Sequence, residues 1–166
     1  FTVYNKSRVQ TVFENELKAQ NIEVSRMITS PTIFNNVLWS CTVDANDAYY
    51  VGLYSFYDTV PVKFSRVEKQ HHLIKNLDSD PTITSLRWFS DNYFSINKVD
   101  GELLFNDLRF GAYFDKEGNK TDYIFSFLLE EEDEAYEMVE TLVGPPEGKS
   151  QDYIDAFFAR IWGVHK

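Results

Sequence analysis

The 166-residue chain is the length of one ordinary domain and can bury a core without disulfides or a structural metal. Apolar residues make up 43% and aromatic residues 16%, which excludes a disordered chain; a formal charge of -10, with 16 Lys and Arg against 26 Asp and Glu, excludes a nucleic-acid partner and disfavours an anionic membrane surface. The single cysteine, Cys41, excludes an intramolecular disulfide and leaves the compartment open.

In chain order, Val9, Val12, Phe13 and Leu17 recur at helical spacing and predict a helix over 7–20, with Asn5 or Ser7 as its cap. A short extended run over 23–29 is interrupted at Ser30-Pro31. Trp39, Cys41 and Val43 alternate with Leu38, Ser40 and Thr42, so 37–44 reads as a strand that pairs with a second one over 49–56. A short strand over 60–64 leads into a predicted helix over 67–77 with Leu73, Ile74 and Leu77 on its apolar side. Asp80-Pro81 opens another helix, because Asp caps well and Pro suits the first turn; it ends near Trp88-Phe89.

Asp100-Gly101 suits a type I′ turn and joins strands over 93–99 and 102–110, the clearest hairpin in the chain. A further strand is expected over 122–129. The acidic run Glu130 to Glu134 reads as solvated surface, followed by a weakly helical segment to Val143 and a loop over 144–148. Ser150 is expected to cap a C-terminal amphipathic helix whose face of Tyr153, Ile154, Phe157, Phe158, Ile161 and Trp162 docks on the sheet rather than inserting into lipid. The order predicts a single α+β domain: a mainly antiparallel sheet of six or seven strands carrying an N-terminal helix, two central helices and the C-terminal helix.

The candidate binding residues are Trp88, Asp107, Arg109 and His72. Counting back from the Asp-Gly turn places Phe94, Ile96, Leu103, Phe105, Asp107 and Arg109 on one face, so Asp107 and Arg109 are neighbours at the end of an aromatic row. Such a pair can hold an anion, but a buried carboxylate and guanidinium more often satisfy each other, and that reading is preferred. His71 and His72 are adjacent, about 100° apart on a helix, and lack the i, i+4 spacing of a metal pair. The acidic run lacks a calcium-loop pattern, and Cys41 reads as core rather than nucleophile. No hydrolase elbow, P-loop or Rossmann fingerprint is present, so no catalytic residue, metal ligand or cofactor is assigned.

Four aromatic-rich strings occur in order: TSPTIFNNVLW (29–39), YYVGLYSFYD (49–58), LRWFS (86–90) and DLRFG (107–111). On these motifs the chain resembles, over about residues 5–130, the C-terminal extramembrane region of the bacterial membrane-bound metal-dependent hydrolases, also described as LexA-binding, inner-membrane-associated hydrolases. The resemblance implies a parent protein of the bacterial inner membrane whose N-terminal transmembrane helices carry a divalent-metal site, and for this chain an accessory or binding role beside its own membrane region. The family's metal-binding residues map onto no position here. The start at Phe1 agrees with a piece of a longer protein, and no apolar run is long enough to span a bilayer. The alternatives are a free-standing ligand-binding domain with an aromatic-lined pocket, or a domain adding substrate contacts to a hydrolase site.

Overall fold

In the computed structural model, which describes residues 2–32, 35–76 and 78–164, three α-helices and ten strands, all antiparallel, form an α+β fold. Leu77, His165 and, within the first aromatic string, Ile33 and Phe34 lie outside the described residues. The helices are α1 (Thr2–Ala19), α2 (Pro81–Phe89) and α3 (Ser150–Ile161). The strands are β1 (Arg26–Pro31), β2 (Leu38–Asp44), β3 (Tyr49–Ser55), β4 (Phe64–Val67), β5 (Phe94–Val99), β6 (Glu102–Asp107), β7 (Ala112–Phe114), β8 (Lys120–Tyr123), β9 (Phe125–Glu132) and β10 (Ala135–Val143).

The strands do not make one sheet. They form a meander β1-β2-β3-β4, a second sheet ordered β10-β9-β6-β5, and a ribbon β7-β8. Alternation in β2 and β3 gives the meander two apolar faces. Trp39, Cys41 and Val43 meet Val9, Phe13 and Leu17 of α1 on one face. On the other, Tyr49, Val51 and Val67 pack with Tyr93, Leu108 and the ribbon residues Ala112 and Phe114. α1 starts at Thr2, earlier than predicted, so neither Asn5 nor Ser7 is its cap.

The second sheet carries the aromatic row. Phe94 stacks on Phe105 at 4.5 Å, and Phe105 meets Phe127 edge-on at 6.2 Å. Ile83 and Leu86 of α2 complete this core, and each aromatic pair contributes about 0.5–1.5 kcal/mol beyond burial. The β5-β6 hairpin has the predicted register, Val99 opposite Glu102, with both turn residues at positive φ (Asp100 51°, Gly101 91°).

Four expectations change. The segment over 67–77 is not a helix. Val67 is a ladder partner of Tyr49, and Gln70 turns left-handed (φ 50°). The carbonyl of Lys69 accepts from Ile96 N, so only a 3-10 turn, His71–Leu73, remains. There is therefore one central α-helix, not two. β6 stops at Asp107, whose side chain caps a 3-10 turn over Leu108–Phe110, so Arg109 is off the ladder face. Residues 135–143 form β10 rather than a helix, because Asp133 and Glu134 (φ 47° and 66°) make a two-residue turn that pairs Ala135 with Glu132; pairing overrides weak helical propensity.

Finally, α3 begins at Ser150 with Lys149 in the cap position and no side-chain cap. It buries Ala156 and Arg160 and leaves Ile154, Phe158 and Trp162 exposed, a face rotated from the expected one. A clasp explains the rotation. Arg160 Nη1 and Nη2 donate to Asp58 (2.9 and 3.2 Å), both side chains being 4% exposed, and Asp58 also accepts from the backbone N–H of Ser55 and Val164. The chain then passes so close to Tyr57 that a Cβ at Gly163 would lie 2.6 Å from its carbonyl.

Candidate functional site

Asp80 sets the position of α2. Its Oδ1 accepts from the N–H of Ile83 at 2.9 Å, capping the helix, and Pro81 occupies the first turn. Its Oδ2 accepts from the N–H of Tyr136 at 2.9 Å, so one buried carboxylate ties the start of the helix to the start of β10. From there α2 crosses the sheet with Ile83 and Leu86 inward, while Thr84, Ser85 and Trp88 face an open groove.

The groove has a volume of about 770 Å³ and lies between α2 and strands β9 and β10. Phe125, Phe127, Met138 and Thr141 form its floor, and Trp88 and Phe89 its helical wall. The ring of Phe89 meets Phe127 edge-on at 6.0 Å, and Phe125 stacks on Phe110 at 5.3 Å. Trp88 is 83% exposed and Met138 48% exposed, with Val143 and Phe110 also open to solvent. Exposed apolar side chains scattered singly need no explanation, but contiguous ones around a concavity mark a binding surface.

The four candidate binding residues divide. Trp88 is the wall of the groove. Asp107 and Arg109 do not line it; they form a closed pair behind Phe89. Arg109 Nη2 donates to Asp107 Oδ2 at 2.7 Å, and Arg109 Nε and N donate to Oδ1 at 3.1 and 3.0 Å. The guanidinium lies 4.9 Å over Phe89 and 5.4 Å over Phe110, so it also bridges the strings 86–90 and 107–111. His72 is exposed in the 3-10 turn and does not line the groove.

Other concentrations of polar groups are already engaged. Asp44 accepts from Arg26 (3.0 Å) and Lys69 (2.8 Å), and the hydroxyl of Tyr49 donates to the Asn92 carbonyl, joining the meander to the end of α2. His71 stacks on Phe94 at 4.1 Å with Nε2 2.9 Å from the Phe94 carbonyl. Burial pushes its pKa down, the charges of Lys69 and Arg87 act the same way, and the hydrogen bond opposes them. Burial pushes the Cys41 thiol up, far from a thiolate nucleophile. A smaller concavity of about 390 Å³ between the β7-β8 turn and α3 mixes Asp115, Glu117, Asp152 and Asp155 with Lys116 and Lys149; Asp115 is spent on the N–H and side chain of Asn119.

Among the described residues no group of three or more His, Cys, Asp and Glu side chains could hold a metal ion, and no helix is long and apolar enough to cross a membrane. The groove's floor was missed in the sequence because 135–143 reads as weakly helical. The signal lies in Tyr136 and Met138, then Thr141 and Val143: two alternating pairs set out of phase by one extra residue, the mark of a bulged strand. The chain matches no protein family, no curated protein and no solved structure.

Proposed function

We propose that this chain is a binding module, not a catalyst on its own, and that its ligand is an apolar polypeptide segment received in the groove between α2 and β9-β10. The observation that carries this is the exposure of Trp88, Phe89 and Met138 around one concavity whose floor is the half-buried Phe125 and the buried Phe127. The Asp107-Arg109 pair supports the reading from the other side. The buried Asp107 carboxylate is taken by Arg109, whose guanidinium lies over Phe89, so the pair braces the groove wall from behind.

On the resemblance of its four aromatic strings, the module serves as an accessory domain beside the membrane-embedded metal site of an inner-membrane hydrolase, with that protein's own N-terminal membrane region as its partner. Among the described residues no group of three or more side chains forms a metal ligand set.

The test is a neutral solvatochromic dye titrated into the folded chain. The dye brightens well below the melting transition, and Met138→Asp or Trp88→Ser removes most of the signal while leaving Tm nearly unchanged, because both side chains are exposed. A native chain that leaves the dye dark, or variants that brighten it equally, would sink the proposal.

A further inference from the structure

We infer that the segment received in the groove is an extended one of alternating apolar and basic residues, added as a further strand along the free edge of β10. This rests on the reading of the groove as a binding surface and names its ligand. β10 is an edge strand of nine residues whose strand neighbour is β9.

Two hydrogen bonds fix which backbone groups point outward. Gly144 N–H donates to the Ile124 carbonyl at 3.2 Å, which makes Phe125 and Val143 a non-hydrogen-bonded pair. Tyr136 N–H points away from β9, where Asp80 takes it. Counting inward from both ends past the bulge, the N–H and C=O groups of Met138, Thr141 and Val143 lie on the free edge. The side chains of the same three residues face the groove, opposite Leu129, Phe127 and Phe125. A strand that pairs there therefore sends every second side chain toward Trp88 and Met138, which is how edge addition combines main-chain affinity with side-chain selection.

The other face of the hairpin selects charge. Glu137 stands directly opposite Glu130, Glu140 lies on the same face, and Glu132 closes the turn opposite Ala135. Like charges directly opposite destabilise a sheet. Among the described residues the hairpin's ion pair is Lys75 with Glu131 (2.8 Å), on the groove face, and no cation pairs with Glu130, Glu137 or Glu140. Lys or Arg at the alternate positions of an added strand would neutralise this row. A second copy of β10 would instead bring Glu137 and Glu140 of two chains together, on a protein already at -10. The bulge between Met138 and Glu140 twists the edge and favours a short segment over a long flat one.

Two capped nine-residue peptides, one alternating valine with lysine and the other valine with glutamate, titrated calorimetrically into the whole chain, provide the test. The lysine peptide binds and the glutamate peptide does not; Glu137→Lys with Glu140→Lys weakens binding about tenfold or more. Thr141→Pro removes an outward donor without touching the ladder to β9 and abolishes peptide binding, with Tm retained. If that variant fails to fold, the lysine peptide N-methylated at alternate amides gives the same readout from the ligand side. Equal binding of both peptides, or binding indifferent to the lost backbone donor, overturns the inference. So does a dimer in sedimentation that Thr141→Pro dissolves, which assigns the edge to a second copy. A chain that binds the dye and neither peptide keeps its groove and loses this ligand, whereas loss of dye binding defeats both readings.

Discussion

The carboxylate of Asp107 is fully buried and neutralised by an Arg109 side chain that is 28% exposed. The two halves of the pair are therefore unequal. Arg109→Ala leaves a buried charge without a counterion and should cost about 3–5 kcal/mol, whereas Asp107→Asn keeps a cap for the 3-10 turn, leaves a partly solvated cation and should cost about 1–2 kcal/mol. Denaturant titration of the two variants measures the difference; equal losses would show that the cap, not the charge, dominates. His71 supplies the second expectation at this scale. Its folded pKa lies below the ordinary value of about 6.5, so the unfolded chain binds the proton more tightly and stability rises with pH. The contribution is complete above about 6.5 and is lost as pH falls below that value toward and through the lowered folded pKa. Tm should drop between about pH 7.5 and 5.5 in the native chain, and His71→Gln should flatten that drop. A native Tm constant over this window would mean that the stack on Phe94 survives protonation.

At the scale of elements, α2 and β10 share one anchor. Asp80→Ala frees the N–H groups of Ile83 and Tyr136 together, at a cost of about 2–3 kcal/mol, and should speed hydrogen exchange at both amides, 53 residues apart (136 minus 83). Exchange that accelerates at Ile83 alone would show that the tie to β10 carries no energy. What the sequence makes legible follows from how local each signal is. Asp100-Gly101 and Asp80-Pro81 are turn and cap chemistry complete within a few residues, and β5-β6 and α2 stand where those residues predict. The segments over 67–77 and 135–143 have helix-compatible composition, but Lys69 is taken by a partner in β5, distant in sequence, and β10 pairs with β9 through a two-residue turn, Asp133 and Glu134, that lacks the glycine marking the β5-β6 turn.

At the scale of the molecule, alternation tells which side chains share a face of a strand, and not which strands are neighbours. Asn106 of β6 pairs with Ser126 of β9 across the whole β7-β8 ribbon, which turns away to cover the meander. One predicted sheet thus becomes two sheets and a ribbon, and the α+β class is unchanged. Of the candidate binding residues only Trp88 lines the groove, because its floor depends on β9 and β10 lying under α2. The glutamates facing each other on that hairpin also bear on how the protein responds to ionic strength. Mobile ions screen exposed charges over about 8 Å at 0.15 M and scarcely reach a buried pair such as Asp58 with Arg160. Added sodium chloride should therefore relieve the repulsion while sparing the clasp, so that Tm climbs by a few degrees between about 20 and 500 mM and Glu137→Gln blunts the climb. A Tm that falls instead would place the balance of surface charge with the attractive pairs. Dilute buffer is then the condition in which this protein is weakest, and physiological salt acts on it as a ligand-free stabiliser of the strand edge.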